Sequence, residues 1–415
     1  EIRMLDEDRR RHLYMIGQTG TGKTTFLENL AVQDIQQGKG VCFIDPHGDT
    51  AERMLGLIPR HRLQDVIYFN PGDVERPMGL NMLEYDTMFP EQKTFIVNEL
   101  LGIFDKLYNM QVAGGPIFEQ YFRNSTMLVM EDPSSGNTLL EIERVLTDKP
   151  FRDLKLSRSR NIVINNFWTQ IAEKAGGEAS LKDMVPYIAS KFDNFIANDI
   201  MRPIIAQEKS AFNFREVMDS GKILLVNLSK GRLGDINSAL IGLVIVGKLL
   251  MAALSRSELA EERRKDFYLY IDEFQNVTTD SIATILSEAR KYKLNLIIAH
   301  QFIGQLKEEI KKAVFGNVGS IACFRIGSDD AEFMAKQYKP VFSEQDLLNV
   351  DNRNCYLKLL VNGATTTPFS MKSYPPQKGD KESAEIVKEI SRIKYGRPRE
   401  EIEQEIVSRH QKPLA

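Results

Sequence analysis

The sequence predicts an α/β fold, a doubly wound and mostly parallel sheet with an inserted all-α domain. Three observations carry this. Short apolar runs of strand length recur toward both ends of the chain, and helix-spaced stretches follow them. The turn after the first run, Gly17-Gln18-Thr19-Gly20-Thr21-Gly22-Lys23-Thr24, fits G-x-x-x-x-G-K-[ST], the phosphate-cradling P-loop. Between about residues 91 and 214, strand-like alternation disappears and only helical spacing remains.

Length and composition set the frame. The chain has 415 residues, enough for two or three domains. Hydrophobic residues make up 42% and charged ones 27%, an ordinary soluble composition. A net charge of −3 leaves no global basic field, so any contact with nucleic acid must be local, on loops or a channel lining. Cys42, Cys323 and Cys355 lie far apart in apolar runs, which fits buried free thiols in a reducing compartment better than a disulfide or zinc framework. Residue 1 is Glu and the P-loop follows almost at once, so the chain reads as a piece of a longer protein. An N-terminal domain or membrane anchor is expected outside it. No signal peptide is visible. The longest apolar run, 239–254, is interrupted by Lys248 and falls short of the ~20 residues that span a bilayer, so it reads as a core helix.

The first strand, Leu13-Tyr14-Met15-Ile16, leads into the P-loop, and residues 25–36 have the spacing of a helix. The loop therefore lies between a strand end and a helix N-terminus, where unpaired N–H groups and the positive end of the helix dipole favour a phosphate. Gly17, Gly20 and Gly22 permit a tight turn and close backbone approach, and Thr19, Thr21 and Thr25 complete the cradle. Lys23 is expected to reach the β and γ phosphates and Thr24 to place its hydroxyl on Mg²⁺. The second strand, 40–45, ends in Asp45-Pro46-His47-Gly48-Asp49, at the sheet edge where ligands bind in open α/β folds. Asp45 reads equally as a nucleotide-facing group or as the cap of the next helix, while His47 reads better as part of a turn.

After a third strand, 66–69, comes the helical region. One amphipathic helix is expected over 118–130 and another over 137–146, with Thr138 and Glu141 spaced as a capping box. Residues 182–195 and 196–208 continue the helical run, with a break at Gly176-Gly177. A basic cluster of Lys149, Arg152, Lys155, Arg158 and Arg160 reads as a DNA-entry surface or as a solvated helix face, and charge runs favour the second. Strands resume at 222–228. The loop after them carries Lys230 and Arg232, candidates for a phosphate backbone. Phe267-Tyr268-Leu269-Tyr270-Ile271-Asp272-Glu273 has the Walker B form, with Asp272 to hold Mg²⁺ and Glu273 to polarise water. A helix over 280–292 ends in Arg290-Lys291. The strand 294–299 then runs into His300-Gln301, where the Gln301 amide, both donor and acceptor, can orient water. A strand at 321–325, a hairpin turning at Asn362-Gly363, and a charged helix and tail from 377, read as peripheral, complete the chain.

With these pieces placed, the sequence resembles the HerA–FtsK superfamily of DNA-pumping ATPases, and within it the type IV secretion coupling proteins of the TraD/TraG/TrwB kind. The residues that carry this are 17–25, 43–49, 270–274, 288–293 and 297–301. The resemblance covers about residues 12–370 and implies a RecA-like fold with an all-α insertion. It also implies ATP and Mg²⁺ as ligands, a homo-hexamer with ATP between subunits, DNA in a central channel, and type IV secretion or relaxosome components as partners. A trans-acting arginine is implied too, with Arg290 at the matching place and Arg325 as the fallback. The loops at 230–232 and 275–281 are the expected channel contacts. The implied location is cytoplasmic, at the inner face of the membrane, reached only through a segment absent from this chain. A secretion ATPase that moves protein, a HerA-type DNA-repair motor and a nucleotide-gated docking platform are the alternatives. The expected division is 1–90 and 215–376 for the ATPase domain, 91–214 for the insertion and 377–415 for the tail.

Overall fold

The computed structural model describes residues 2–110, 114–172, 181 and 185–411. The chain forms two compact units. One comprises Glu1–Phe69, Phe214–Gly231 and Lys248–Ser391, and the other Asn70–Asn213, Arg232–Gly247 and Arg392–Ala415.

The first unit is built on a sheet of nine strands among the described residues. In chain order the strands are β1 (Leu13–Ile16), β2 (Gly40–Asp45), β3 (Val66–Phe69), β4 (Ile223–Asn227), β5 (Phe267–Ile271), β6 (Leu294–His300), β7 (Ser320–Cys323), β8 (Asn354–Lys358), β9 (Leu360–Val361), β10 (Ala364–Thr365) and β11 (Phe369–Lys372). The sheet order is β11-β8-β7-β1-β6-β5-β2-β4-β3, while β9 and β10 pair separately as a small hairpin. From β3 to β7 every pairing is parallel, and β8 and β11 add an antiparallel edge. This is the expected doubly wound sheet. Residues of β1, β2, β4, β5 and β6 are buried throughout, as continuous apolar strands covered on both faces should be. The helix Lys23–Gln36 packs Leu27, Ala31, Val32 and Ile35 on one face of the sheet. The hairpin turns where expected, with Asn362 and Gly363 both left-handed (φ 51° and 75°). Asp8 accepts the N–H groups of both turn residues at 2.9 and 3.0 Å.

The described residues of the second unit form helices joined by turns and loops, with no strand among them. Its helices Gly115–Glu131 and Leu139–Thr147 match expectation, and the capping box between Thr138 and Glu141 is formed. The stretch 196–208 holds only the short helix Arg202–Ile205, and part of 182–195 and the Gly176-Gly177 break lie outside the described residues. The apolar helix Asp235–Ser255 is long and apolar enough to cross a membrane, but 78% of its most apolar window is buried within the protein, as a core helix requires.

Two boundaries differ from expectation. The helical unit begins at Asn70, not at 91, because the Pro/Gly-rich loop after β3 belongs to it. The C-terminal segment is not a peripheral tail. Lys381–Tyr395 buries Val387 in the core of the sheet unit, and the Ser391 hydroxyl accepts the Tyr68 N–H at 2.8 Å, satisfying a donor on the edge strand β3. Arg399–Gln411 packs Ile402 and Ile406 with Leu140 and Ala206 of the helical unit. Charge dominates the sequence here and hides the few buried positions.

At the start of β1, His12 is buried. Its Nδ1 accepts the Leu296 N–H at 3.0 Å and its Nε2–H donates to the Leu286 carbonyl at 3.2 Å. Burial pulls its pKa down to about 4. Between that value and about 6.5 the unfolded chain binds a proton that the folded chain refuses, so stability falls as pH drops through this window. The expected slope from one such histidine is at most about 1.4 kcal/mol per pH unit. Urea titrations from pH 7 to pH 4.5 should show it, and His12→Gln should flatten it. Ser391→Ala should cost about 1–3 kcal/mol in the same assay, because the Tyr68 amide loses its acceptor.

Candidate functional site

The P-loop is held by backbone bonds from neighbouring strand ends. The Gly17 N–H donates to His300 O at 3.3 Å at the end of β6, and the Gln18 N–H donates to Arg325 O at 2.8 Å just past β7. Thr21 O accepts the Arg353 N–H at 2.7 Å, just before β8. Gly20 and Gly22 take left-handed backbone (φ 79° and 107°). At Gly22, which opens the helix Lys23–Gln36, a Cβ would also sit 3.2 Å from Arg353 Cα. Gln18, Thr19 and Gly20 are exposed at the crest, whereas Thr24 and Thr25 are half-buried on the first turn of the helix.

Strand alternation sorts the two acids. Tyr268 and Tyr270 of β5 pack on the same face as the helix Lys23–Gln36, so Asp272 continues toward that helix. The Thr24 hydroxyl donates to Asp272 Oδ2 at 2.7 Å. Glu273 adopts left-handed backbone (φ 49°, ψ 49°), a conformation that costs of order 1 kcal/mol for a non-glycine residue and clusters at functional sites. Its carboxylate gathers three side chains. Lys23 Nζ lies 3.5 Å from Oε1, Gln301 Nε2 donates to Oε1 at 3.1 Å, and Gln275 Nε2 donates to Oε2 at 2.7 Å. Burial pushes Glu273 upward, yet the Lys23 charge and the two amides hold it below the usual glutamate range. Burial raises Asp272 above the usual aspartate value, against the pull of Lys23 and Thr24. Two adjacent carboxylates are thus driven in opposite directions, the pattern of acids with different tasks.

The structure therefore brings together Lys23, Thr24, Asp272, Glu273 and Gln301 from segments far apart in sequence. The cradle amides and Lys23 suit an anion. A hydroxyl beside a carboxylate is a hard-oxygen pair that suits Mg²⁺ completed by phosphate oxygens. Among the described residues no cluster of His, Cys, Asp and Glu would hold a metal alone.

The remaining candidates are placed elsewhere. Arg290 is exposed and precedes β6, which runs parallel to β1, so it lies at the opposite ends of the strands from the P-loop. Arg325 flanks the P-loop of its own chain, and its guanidinium donates to Asn352 Oδ1 at 3.0 Å. Asp45 accepts the N–H groups of His47, Thr50 and Ala51 at 3.0, 2.8 and 3.0 Å, so it caps the helix Asp49–Leu55. The Lys230 N–H donates to Pro46 O at 3.1 Å, and the Arg232 guanidinium donates to Gly72 O at 2.9 Å within the helical unit. In the 275–281 loop, Val277, Thr278, Thr279 and Ser281 are buried, which removes most of it as a channel contact. The basic cluster is divided: Lys149, Arg158 and Arg160 are exposed, whereas Arg152 and Lys155 are internal. Lys155 is fully buried and donates to the carbonyls of Val129, Asp132 and Gly136 at 2.9, 2.7 and 2.6 Å. Arg152 is buried over the Trp168 ring. Sequence reasoning missed Gln275 as a carboxylate ligand and Arg353 as a P-loop clamp. Gln275 follows the acid pair by two residues and was findable. Arg353, left-handed at φ 64°, carries no motif.

Comparison with known proteins bears on the fold. Residues 266–338 match a family model described as the TraM recognition site of TraD and TraG. The bacterial conjugative coupling protein TrwBdeltaN70, in its unbound monoclinic form, superposes with a TM-score of 0.66 at 16% identity, over 91% of this chain and 89% of that one. TrwB in complex with ADP and Mg²⁺ gives 0.63 at 16% identity over the same shares. VirB4 of Thermoanaerobacter pseudethanolicus gives 0.55 at 15%, over 88% and 89%. No curated protein sequence matches the chain. The fold is that of the coupling protein TrwB.

Removing Lys155 leaves three carbonyls without their donor, so Lys155→Ala should destabilise the protein by about 2–5 kcal/mol. Arg160→Ala, outside that cage, should stay within about 0.5 kcal/mol of the unaltered chain. Urea unfolding followed by circular dichroism distinguishes the two.

Proposed function

We propose that this chain is an ATP-driven DNA translocase of conjugation or type IV secretion, which couples ATP hydrolysis to DNA transfer. The observation that carries the reading is the convergence of Lys23, Glu273 and Gln301 beside the Thr24–Asp272 pair. The likeness to TrwB, solved with ADP and Mg²⁺, supports the nucleotide and the metal. In this reading the amides of residues 17–25 and the Lys23 ammonium bind the phosphates, and Lys23 leaves Glu273 to do so. Thr24 and Asp272 would hold Mg²⁺, which when bound neutralises charge on the β and γ phosphates. Glu273, held ionised, takes a proton from the attacking water, and Gln301 orients that water. In this reading a neighbouring copy supplies a further positive charge at the γ-phosphate. Arg290, at the opposite ends of the strands from the P-loop, is the candidate, and a guanidinium arriving across an interface can stabilise the transferring phosphoryl group. This supports a ring, with six subunits as in the resemblance drawn from sequence. Lys230 and Arg232 remain the proposed DNA contacts, and the stretch 266–338 the proposed docking region for a relaxosome protein. The proposed location is the cytoplasmic face of the membrane.

Purified protein should hydrolyse ATP, and DNA should stimulate the rate several-fold. Glu273→Gln should lower kcat by about 10²–10⁴ with nucleotide affinity retained, the usual effect of losing a general base. Lys23→Ala should abolish tight nucleotide binding in a fluorescence titration. Turnover indifferent to every DNA tested would remove the pumping claim and favour the protein-moving secretion ATPase.

A further inference from the structure

We propose that His300 is a positioning residue for the Glu273 carboxylate, holding it through Nδ1–H once Lys23 has turned to the phosphates; this rests on the hydrolytic reading above. Tyr14 sets the tautomer of this ring. Its side chain is fully buried, and its hydroxyl meets His300 Nε2 at 2.7 Å, the partner it has among the described residues. A buried phenol O–H must donate, so Nε2 is the acceptor. A neutral ring then carries its proton on Nδ1. That tautomer is assigned from the network. Nδ1 is itself buried and has no partner among the described residues. Such an orphan donor costs about 1–3 kcal/mol, and an arrangement that keeps one calls for a functional reason.

Register says where the donor stands. Ile271 of β5 pairs with Ile298 of β6, and two residues further along each strand are Glu273 and His300. His300 lies on the face opposite the helix Lys23–Gln36, since Ala299 packs toward that helix, whereas Glu273 lies just past the end of β5, where left-handed backbone brings its carboxylate to Lys23 and to Gln301, the residue after His300. The ring is fixed by Phe274, edge-on at 5.2 Å, and by Tyr14 at the same centroid distance. The charged groups acting on the ring are Lys23 and Glu273, and Asp330 faces the Tyr14 side. Burial pulls the imidazole down to about 3, so it stays neutral and retains this single donor. In the structure Glu273 Oε1 is shared by Lys23 and Gln301, and Oε2 is bound by Gln275. When Lys23 departs, Oε1 loses its cation, and His300 is the unspent donor on the adjacent strand. Holding the carboxylate keeps one oxygen aimed at water without adding a charge that would weaken the base.

The test compares His300→Phe, Tyr14→Phe and Glu273→Gln in the full chain. His300→Phe should lower kcat for ATP about tenfold while KM and the Kd for a fluorescent ATP analogue stay within twofold. In a Glu273→Gln background, measured by single-turnover hydrolysis, the same change should alter the rate less than twofold, because the group it positions is gone. Tyr14→Phe keeps the shape and frees the tautomer. It should lower kcat about threefold and remove the Nδ1–H signature in ¹⁵N-histidine NMR, which serves if His300→Phe fails to fold. Mg²⁺ with a non-hydrolysable ATP analogue should shift that Nδ1 proton downfield in the unaltered protein. Full kcat in His300→Phe, equal losses in both backgrounds, or an Nδ1 signal unmoved by nucleotide would overturn the assignment while the hydrolytic reading stands. Undiminished turnover in Glu273→Gln would overturn both.

Discussion

The site depends on one constraint: a loop that must present its amides outward cannot satisfy itself and has to be held by its neighbours. Here β6 and β7 and the residue before β8 each contribute one backbone hydrogen bond, to Gly17, Gln18 and Thr21. The loop is therefore positioned by the parallel sheet rather than by its own glycines. The glycines supply only the left-handed turns and the clearance that Arg353 leaves at Gly22. Because the same strand ends deliver Gln301 and, through β5, the acid pair, the chemistry and the clamp share one rigid edge.

That edge also explains how two neighbouring carboxylates acquire different characters. Asp272 turns toward a hydroxyl on the P-loop helix and is deeply buried. Glu273 is turned by its left-handed backbone toward a lysine and two amides. Burial acts on both, but only Glu273 has enough donors to overcome it. A strand that simply ran on past its last pair could not have separated them so sharply.

Much of this was legible in the sequence. The P-loop, the Asp272-Glu273 pair and Gln301 were readable because their chemistry needs particular residue types next to an apolar strand. The capping box at Thr138 and the Asn362-Gly363 turn were readable because the backbone there admits few alternatives. What escaped was set by long-range packing. Lys155 looks like a surface charge until three carbonyls are seen to close on it. Asp45 could have faced a ligand, and only the directions of three amides decide that it caps a helix. Arg353 and Ser391 matter through hydrogen bonds to distant backbone that leave no pattern in composition or periodicity.

The tie between Tyr68 and Ser391 spans 323 positions of the chain. A ribosome making this protein releases β3 well before the serine that shields it. Until the helix carrying Ser391 has been made and packed, the growing sheet has an open margin able to pair with another nascent copy. Translation speed and chaperone access between the two bear on yield more than their distance from the catalytic loop would imply.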